Sequence, residues 1–388
     1  MQGGSIKKSE RILFVVTAFI FLLLLVLKFF PAGLFLSLPV DAPSAAGGGP
    51  SNKNFVAEAE EADHQPQITA GSPYTLGPAQ KRDFRIRVDV TNTGNTPSTN
   101  IRMEVPLLDE LDSPYQIMVK ESFSQAPLEI KKKEAGNRSA FFQIDALAPR
   151  ESKTLVLNYQ LQTCSLKSKL PVTGASSDLQ AHHSMKCLPH NTNNSGQIQP
   201  HLKPWLEPAT KIESDHPQII DRARELTATT DGDLEKARLI FNYVKGYLRY
   251  DLNSPHRNKG ALSALQNRAG VCEDYAALFV ALCRAAGVPA RQVNGYTDPE
   301  GCGLAWKLAP AETLSLKGCR HSWAEFYLDG SGWLPADPTM NINDTRLTYF
   351  ASLPGAGYLA QNYADQPLQV RFQGGKLAVS WEEELSGF

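Results

Sequence analysis

The chain lacks an excess of charge of either sign. Its 388 residues carry 39 Lys and Arg against 40 Asp and Glu, a formal net charge of -1. It therefore presents no basic footprint for nucleic acid, and no nucleic-acid partner is expected. Metal-ligand patterns are scarce as well. His182, His183, Cys187 and His190 lie close together, but their spacing matches none of the usual zinc-finger patterns. No acidic loop has the spacing of calcium ligands, so no metal is expected. Cysteines number six. Cys164 with Cys187, and Cys302 with Cys319, bracket two stretches that disulfides would suit in an oxidising compartment, although pairing is not legible in sequence.

One long apolar run is present at the N-terminus. Lys7, Lys8 and Arg11 precede an uninterrupted stretch from Ile12 to Leu27, and "FFPAGLFLSLPV" prolongs it past Lys28 to the roughly 20 residues that span a bilayer. Basic residues lie before the run and few after it. The expectation is a cytoplasmic N-terminus over 1–11, a transmembrane signal anchor over 12–36, and everything downstream on the extracytoplasmic side of the cell membrane. A cleaved signal peptide ending near "APSAAG" would export the same chain. Residues 37–80, rich in Ala, Gly, Pro, Ser and Glu, read as a flexible linker.

In "FRIRVDVTNTGN", Phe84, Ile86, Val88 and Val90 alternate with polar residues, the period of a half-buried strand. "IRMEVPL", "YQIMVK", "FFQIDAL" and "TLVLNYQL" repeat the pattern, so residues 81–163 predict a small β-sandwich of immunoglobulin-like type. A second linker is expected over 164–202. From about 203 to 388 the pattern turns to α+β. "HPQIIDRARELTA" places Ile220, Ala223 and Leu226 on one helical face, and "DGDLEKARLIFNYVKGYLRYD" places Leu234, Ala237, Phe241, Val244 and Leu248 on another. "HSWAEFYLDGSGWLPADPT" predicts a hairpin around Asp329 and Gly330, and "LQVRFQGGKLAVSW" a closing hairpin within the same second domain.

Between these lies "NRAGVCEDYAALFVALCRAAGVPAR". Tyr275, Leu278, Phe279, Leu282 and Ala286 form a helical stripe that Gly287 and Pro289 end, which leaves Cys272 in the first turn. Unpaired N–H groups and the helix dipole favour an anionic sulfur there. Glu273 and Asp274 would oppose it if they faced it. Cys283, on the inner side of the same helix, reads as a small core residue. His321 opens one strand of the expected hairpin and Asp337 closes the other, so pairing would bring imidazole and carboxylate together. Taken singly, each is an ordinary strand-end or turn residue. Taken together, they are a thiol, a base and an orienting acid.

Three blocks, "HPQIIDRARELT" with "EKARLIFNYVKGYLRYD", "GALSALQNRAGVCEDYAALFVALCRAAGVPARQVNGY" and "RHSWAEFYLDGSGWLPADPT", resemble in order the transglutaminase-like core. The resemblance covers about Pro204 to Thr339 and implies a papain-like fold with a Cys272, His321, Asp337 triad. It also implies acyl transfer through a thioester on peptide-like amides, with no metal or organic cofactor. Animal members add an indole from an earlier strand, for which Tyr250 is the nearest aromatic here. The expected partners are a protein or peptide substrate, such as one of the cell envelope, and the membrane through the N-terminal helix. Hydrolysis is favoured over crosslinking because water is abundant and no amine tunnel is evident. The segment from Gly301 to Cys319 would be a lid or a surface excursion. A non-catalytic scaffold using the same fold is the alternative function.

Overall fold

In a computed structural model, which describes residues 55–57, 74–110, 113–132, 137–169, 199–297, 313–339, 349–353, 357–363 and 367–387, each alternating run becomes a strand. The anchor expected over 12–36, the His182 to His190 cluster, Cys187, Cys302 and most of the 301–319 segment lie outside the described residues. Among the described residues no helix is long and apolar enough to cross a membrane.

The N-terminal region is sheet-rich. Strands β1 (Gln80–Asn92), β2 (Ser98–Pro106), β3 (Gln116–Phe123), β4 (Arg138–Leu147) and β5 (Ser152–Thr163) fall into two antiparallel sheets. Phe84, Ile86, Val88 and Val90 of β1 are all fully buried, and they share one apolar cluster with Ile101 and Met103 of β2 and Phe142 and Ile144 of β4. The period of two therefore puts one face of each sheet into a common core. Burial of each such side chain stabilises the fold by about 2 kcal/mol.

The second region begins with helices α1 (Pro217–Thr227), α2 (Asp233–Tyr247), α3 (Ala261–Asn267) and α4 (Cys272–Ala285). A five-stranded antiparallel sheet follows. It contains β6 (Ala290–Thr297), β7 (Arg320–Leu328), β8 (Gly332–Asp337) and β9 (Tyr358–Asn362), in the order Tyr349–Phe350, β8, β7, β6, β9. Ala324 and Phe326 of β7 and Leu334 and Ala336 of β8 belong to the cluster that contains Tyr275, Leu278, Phe279 and Leu282 of α4. Helix α4 is buried nearly all round, from Asp274 to Arg284. A helix apolar on every side belongs in a core, which is wider burial than the single stripe expected.

Several boundaries differ from those read in the sequence. The closing strands β10 (Gln369–Gln373) and β11 (Leu377–Gly387) join the N-terminal sheets, β10 beside β2 and β11 beside β1 along the full length of β11. Strand pairing, which is long-range, takes this hairpin away from the region next to it in sequence. Tyr74–Leu76 pairs with Leu166–Ser168, so the two expected linkers contribute a short ladder. In α1 the buried isoleucine is Ile219, with Ile220 half-buried. All described residues fall in one compact unit beginning at Gly48. A third apolar cluster joins Tyr115, Cys164 and Leu166 of the N-terminal region to Val293, Trp323 and Tyr358 of the second sheet.

Candidate active site

Cys272 sits where the sequence places it, at the first position of α4 after the N-cap Val271. Asp274 builds that terminus. Its carboxylate accepts from the Val271 N–H at 2.9 Å and from the N–H groups of Asn258, Lys259 and Gly260. It thus caps the helix and ties down the preceding loop. Gly270 is required beside it, because an added Cβ would lie 2.5 Å from the Asp274 Cβ. Arg249–Tyr250 pairs in parallel with Ala269–Gly270 and fixes the approach to the cysteine. The two acidic neighbours therefore differ. Asp274 is occupied by four N–H groups, whereas Glu273 faces the sulfur, with Sγ 3.7 Å from Oε2.

His321 and Asp337 meet on paired strands, Nε2 to Oδ2 at 2.6 Å, with Asp337 wholly buried. The Asp337 carboxylate also accepts from the Tyr358 hydroxyl at 2.6 Å and from the Thr339 N–H and hydroxyl. Burial alone would raise the Asp337 carboxyl, but the charge and hydrogen bond of His321, with the Thr339 and Tyr358 hydrogen bonds, hold it below the usual range. Burial alone would lower His321. The Asp337 charge and hydrogen bond, reinforced by hydrogen bonding to Cys272, outweigh it and raise the imidazole to about 10. Since Nε2 is given to Asp337, Nδ1 is the nitrogen left for the sulfur. The histidine is boxed in by rings. Trp323 stacks on it at 6.2 Å between centroids, and Tyr358 meets it edge-on at 5.9 Å.

Tyr250 approaches from the other side. Burial, followed by the charge of the neighbouring Cys272, pushes its hydroxyl up to about 12. A cavity of about 360 Å³ is lined by Glu273, Asp274 and Ala277 of α4 together with Trp205, Asn294 and Tyr363; neither Cys272 nor His321 lines it. Among the described residues no three His, Cys, Asp or Glu side chains converge as metal ligands would.

All three expected site residues are thus brought together. Trp323, Tyr358 and Thr339 were not singled out from sequence. Trp323 lies two residues from His321 on the same strand, where alternation could have flagged it, and Thr339 lies in the turn two residues after Asp337. Tyr358 lies on a strand that carries no local signal. Cys283 is a fully buried core residue, as expected.

Residues 220–338 match the family model described as the transglutaminase-like superfamily. That segment is a transglutaminase-like core. Over 110 residues the chain is 34% identical to a protein-glutamine gamma-glutamyltransferase of Pseudomonas aeruginosa, covering 28% of this chain and 15% of that protein. Over 114 residues it is 38% identical to an uncharacterized protein of Haemophilus influenzae, covering 27% and 31%. Over 135 residues it is 27% identical to the kyphoscoliosis peptidase of Mus musculus, covering 33% and 19%. The chain spans less than a third of the length of each of these relatives.

Proposed function

We propose that the chain is a thiol enzyme that transfers acyl groups from peptide-like amides through a Cys272 thioester, with hydrolysis favoured over amine incorporation. The observation that carries this reading is the 2.6 Å contact of His321 with a buried Asp337, on a histidine close enough to Cys272 for the sulfur to help raise its pKa. The Cys272 thiolate attacks the amide carbonyl, and the His321 imidazolium protonates the leaving amine. His321 then takes a proton from water as water cleaves the thioester. The Cys272 N–H, with the neighbouring Tyr250 hydroxyl, would in this reading donate to the carbonyl oxygen as it becomes negative. One such donor is worth on the order of 3 kcal/mol.

The named relatives include both a transferase and a peptidase, so the choice between water and amine rests on the chemistry of this site. Water is always present, and nothing in the sequence marks a separate amine channel. The apolar run from Ile12 to Leu27 with basic residues before it supports an extracytoplasmic enzyme held by a membrane anchor. The N-terminal sheets, in this reading, are an immunoglobulin-like sandwich.

The test is to incubate the purified chain with glutamine-containing peptides, with and without a primary alkylamine, and to follow intact mass and products. The expected result is an acyl adduct on Cys272 that resolves mainly to the acid. Absence of any adduct would favour the scaffold reading, and amine incorporation outpacing hydrolysis would reverse the choice of acceptor.

A further inference from the structure

The N-terminal region reaches into the second sheet at one buried polar knot. Glu325 of β7 is wholly buried and pairs with Arg291 of β6 at 2.7 Å. Two groups from the turn before β3 donate to its other oxygen, the Ser113 hydroxyl at 2.6 Å and the Tyr115 hydroxyl at 2.5 Å. Tyr115 has a second bond, from the Trp323 indole N–H at 3.1 Å. The directions of both bonds are fixed. Glu325, as the partner of Arg291, offers only acceptors, and an indole offers only a donor. The Tyr115 hydroxyl must therefore give its one proton to Glu325 and present a lone pair to Trp323. The indole so held is the ring that stacks on His321, with 21° between the planes.

We propose that Tyr115 is a positioning residue for His321, through which the N-terminal region completes the reactive site of the second. This rests on the proposed roles of Cys272 and His321. Asp337 fixes the imidazole at one edge, at Nε2, but a single hydrogen bond leaves rotation about its own axis. The near-parallel face of Trp323 removes that freedom, and Tyr115 keeps Trp323 from tilting. Pre-organisation of this kind acts on the rate of reaction more than on binding. The groups that face the imidazole are Asp337, Tyr358 and Cys272, with Glu273 and Tyr250 on the sulfur. Tyr115 hydrogen-bonds none of these, so its hydrogen-bonded link to the imidazole runs through the indole; it also shares an apolar cluster with Tyr358, a ring contact that a phenylalanine at 115 keeps.

The test needs no substrate. Iodoacetamide alkylation of Cys272 in the full chain is followed by mass spectrometry from pH 5 to 10, with the His321 ring nitrogens observed by NMR. Tyr115→Phe should slow alkylation at neutral pH by between roughly tenfold and a hundredfold, the scale of a misplaced rather than a missing group. It should also shift the His321 nitrogen signals. Ser113→Ala, which removes the other donor to the same Glu325 oxygen, should leave both unchanged. Trp323→Phe keeps a stacked ring but removes the N–H, so it tests the link from the other side even if Tyr115→Phe fails to fold. The double variant should be no slower than Trp323→Phe alone. Wild-type rates and signals in Tyr115→Phe, equal slowing by Ser113→Ala, or additive effects in the double variant would each overturn the proposal. Wild-type Cys272 reacting no faster than a model thiol would instead defeat the reading of the site itself.

Discussion

His321 and Asp337 lie 2.6 Å apart, and every donor around the carboxylate points at it: His321 and Tyr358 at Oδ2, the N–H and hydroxyl of Thr339 at Oδ1. Four donors on two oxygens describe an ionised carboxylate. That arrangement makes the outcome of an isosteric change calculable. In Asp337→Asn the two Thr339 donors would keep the amide oxygen on their side, and the NH₂ would face Nε2. Nε2 would then accept, and the proton would move to Nδ1 and block the thiol. The expected loss of reactivity is about 10²-fold to 10⁴-fold, the upper figure being that of the corresponding change in serine proteases. The alkaline limit of the pH profile should fall from about 10 toward the ordinary imidazole range. A near-wild-type rate and profile would refute the orienting role.

The same pair predicts how stability follows pH. His321 is raised above its ordinary value, to about 10, so its contribution is complete below about pH 6.5 and is lost as pH rises through 10. Asp337 is lowered; its contribution is present above the ordinary carboxylate range and is lost as pH falls below it. Asp109, buried at a junction with Arg138 and Tyr363, is raised by burial to about 7. Its penalty therefore grows as pH rises to 7 and then stays constant. Between pH 7 and 10 the melting temperature should fall, and His321→Gln should flatten that slope. An unchanged slope would contradict the assignment.

Glu273 faces the sulfur that Asp274 avoids. The thiol of Cys272 points its donor at the Glu273 carboxylate, away from His321. Glu273→Gln should therefore speed alkylation of Cys272 at pH 6 to 7 by about threefold to tenfold, given that the pair is partly solvated and screened. Slower alkylation would mean that Glu273 takes part in the chemistry.

Two changes away from the reacting atoms should act through the backbone. Asp274→Ala leaves four N–H groups without their acceptor, at a cost of about 3 kcal/mol, and it releases the α4 terminus. Gly295→Ala would place a Cβ 2.1 Å from the Leu359 carbonyl oxygen, forcing apart β6 and the strand that carries Tyr358, at a cost of about 3 kcal/mol. Denaturant unfolding measures both. Wild-type midpoints would show that these contacts do not hold the site.

Legibility followed the range of the interactions. Local periodicity exposed β1 through β5, the helix of Cys272, and the hairpin that pairs His321 with Asp337, because each is set by neighbours in sequence. The placement of β11 beside β1 was not legible, since Leu377 and Asn92 become partners only by long-range pairing. Tyr358 was invisible for the same reason. The knot of Tyr115, Glu325 and Arg291 joins three distant segments whose residues carry no shared motif. The family blocks located the site, and the surrounding polar network emerged only from packing.

In the proposed mechanism Cys272 is reactive because His321 is charged beside it. The most direct measurement is the alkylation rate of Cys272 at pH 6 in the native chain and in His321→Ala, each set against a free thiol under the same conditions. Native Cys272 should outrun the free thiol, and the advantage should disappear in the variant while the fold persists. A native rate at or below that of the free thiol, unaffected by His321→Ala, would contradict that mechanism.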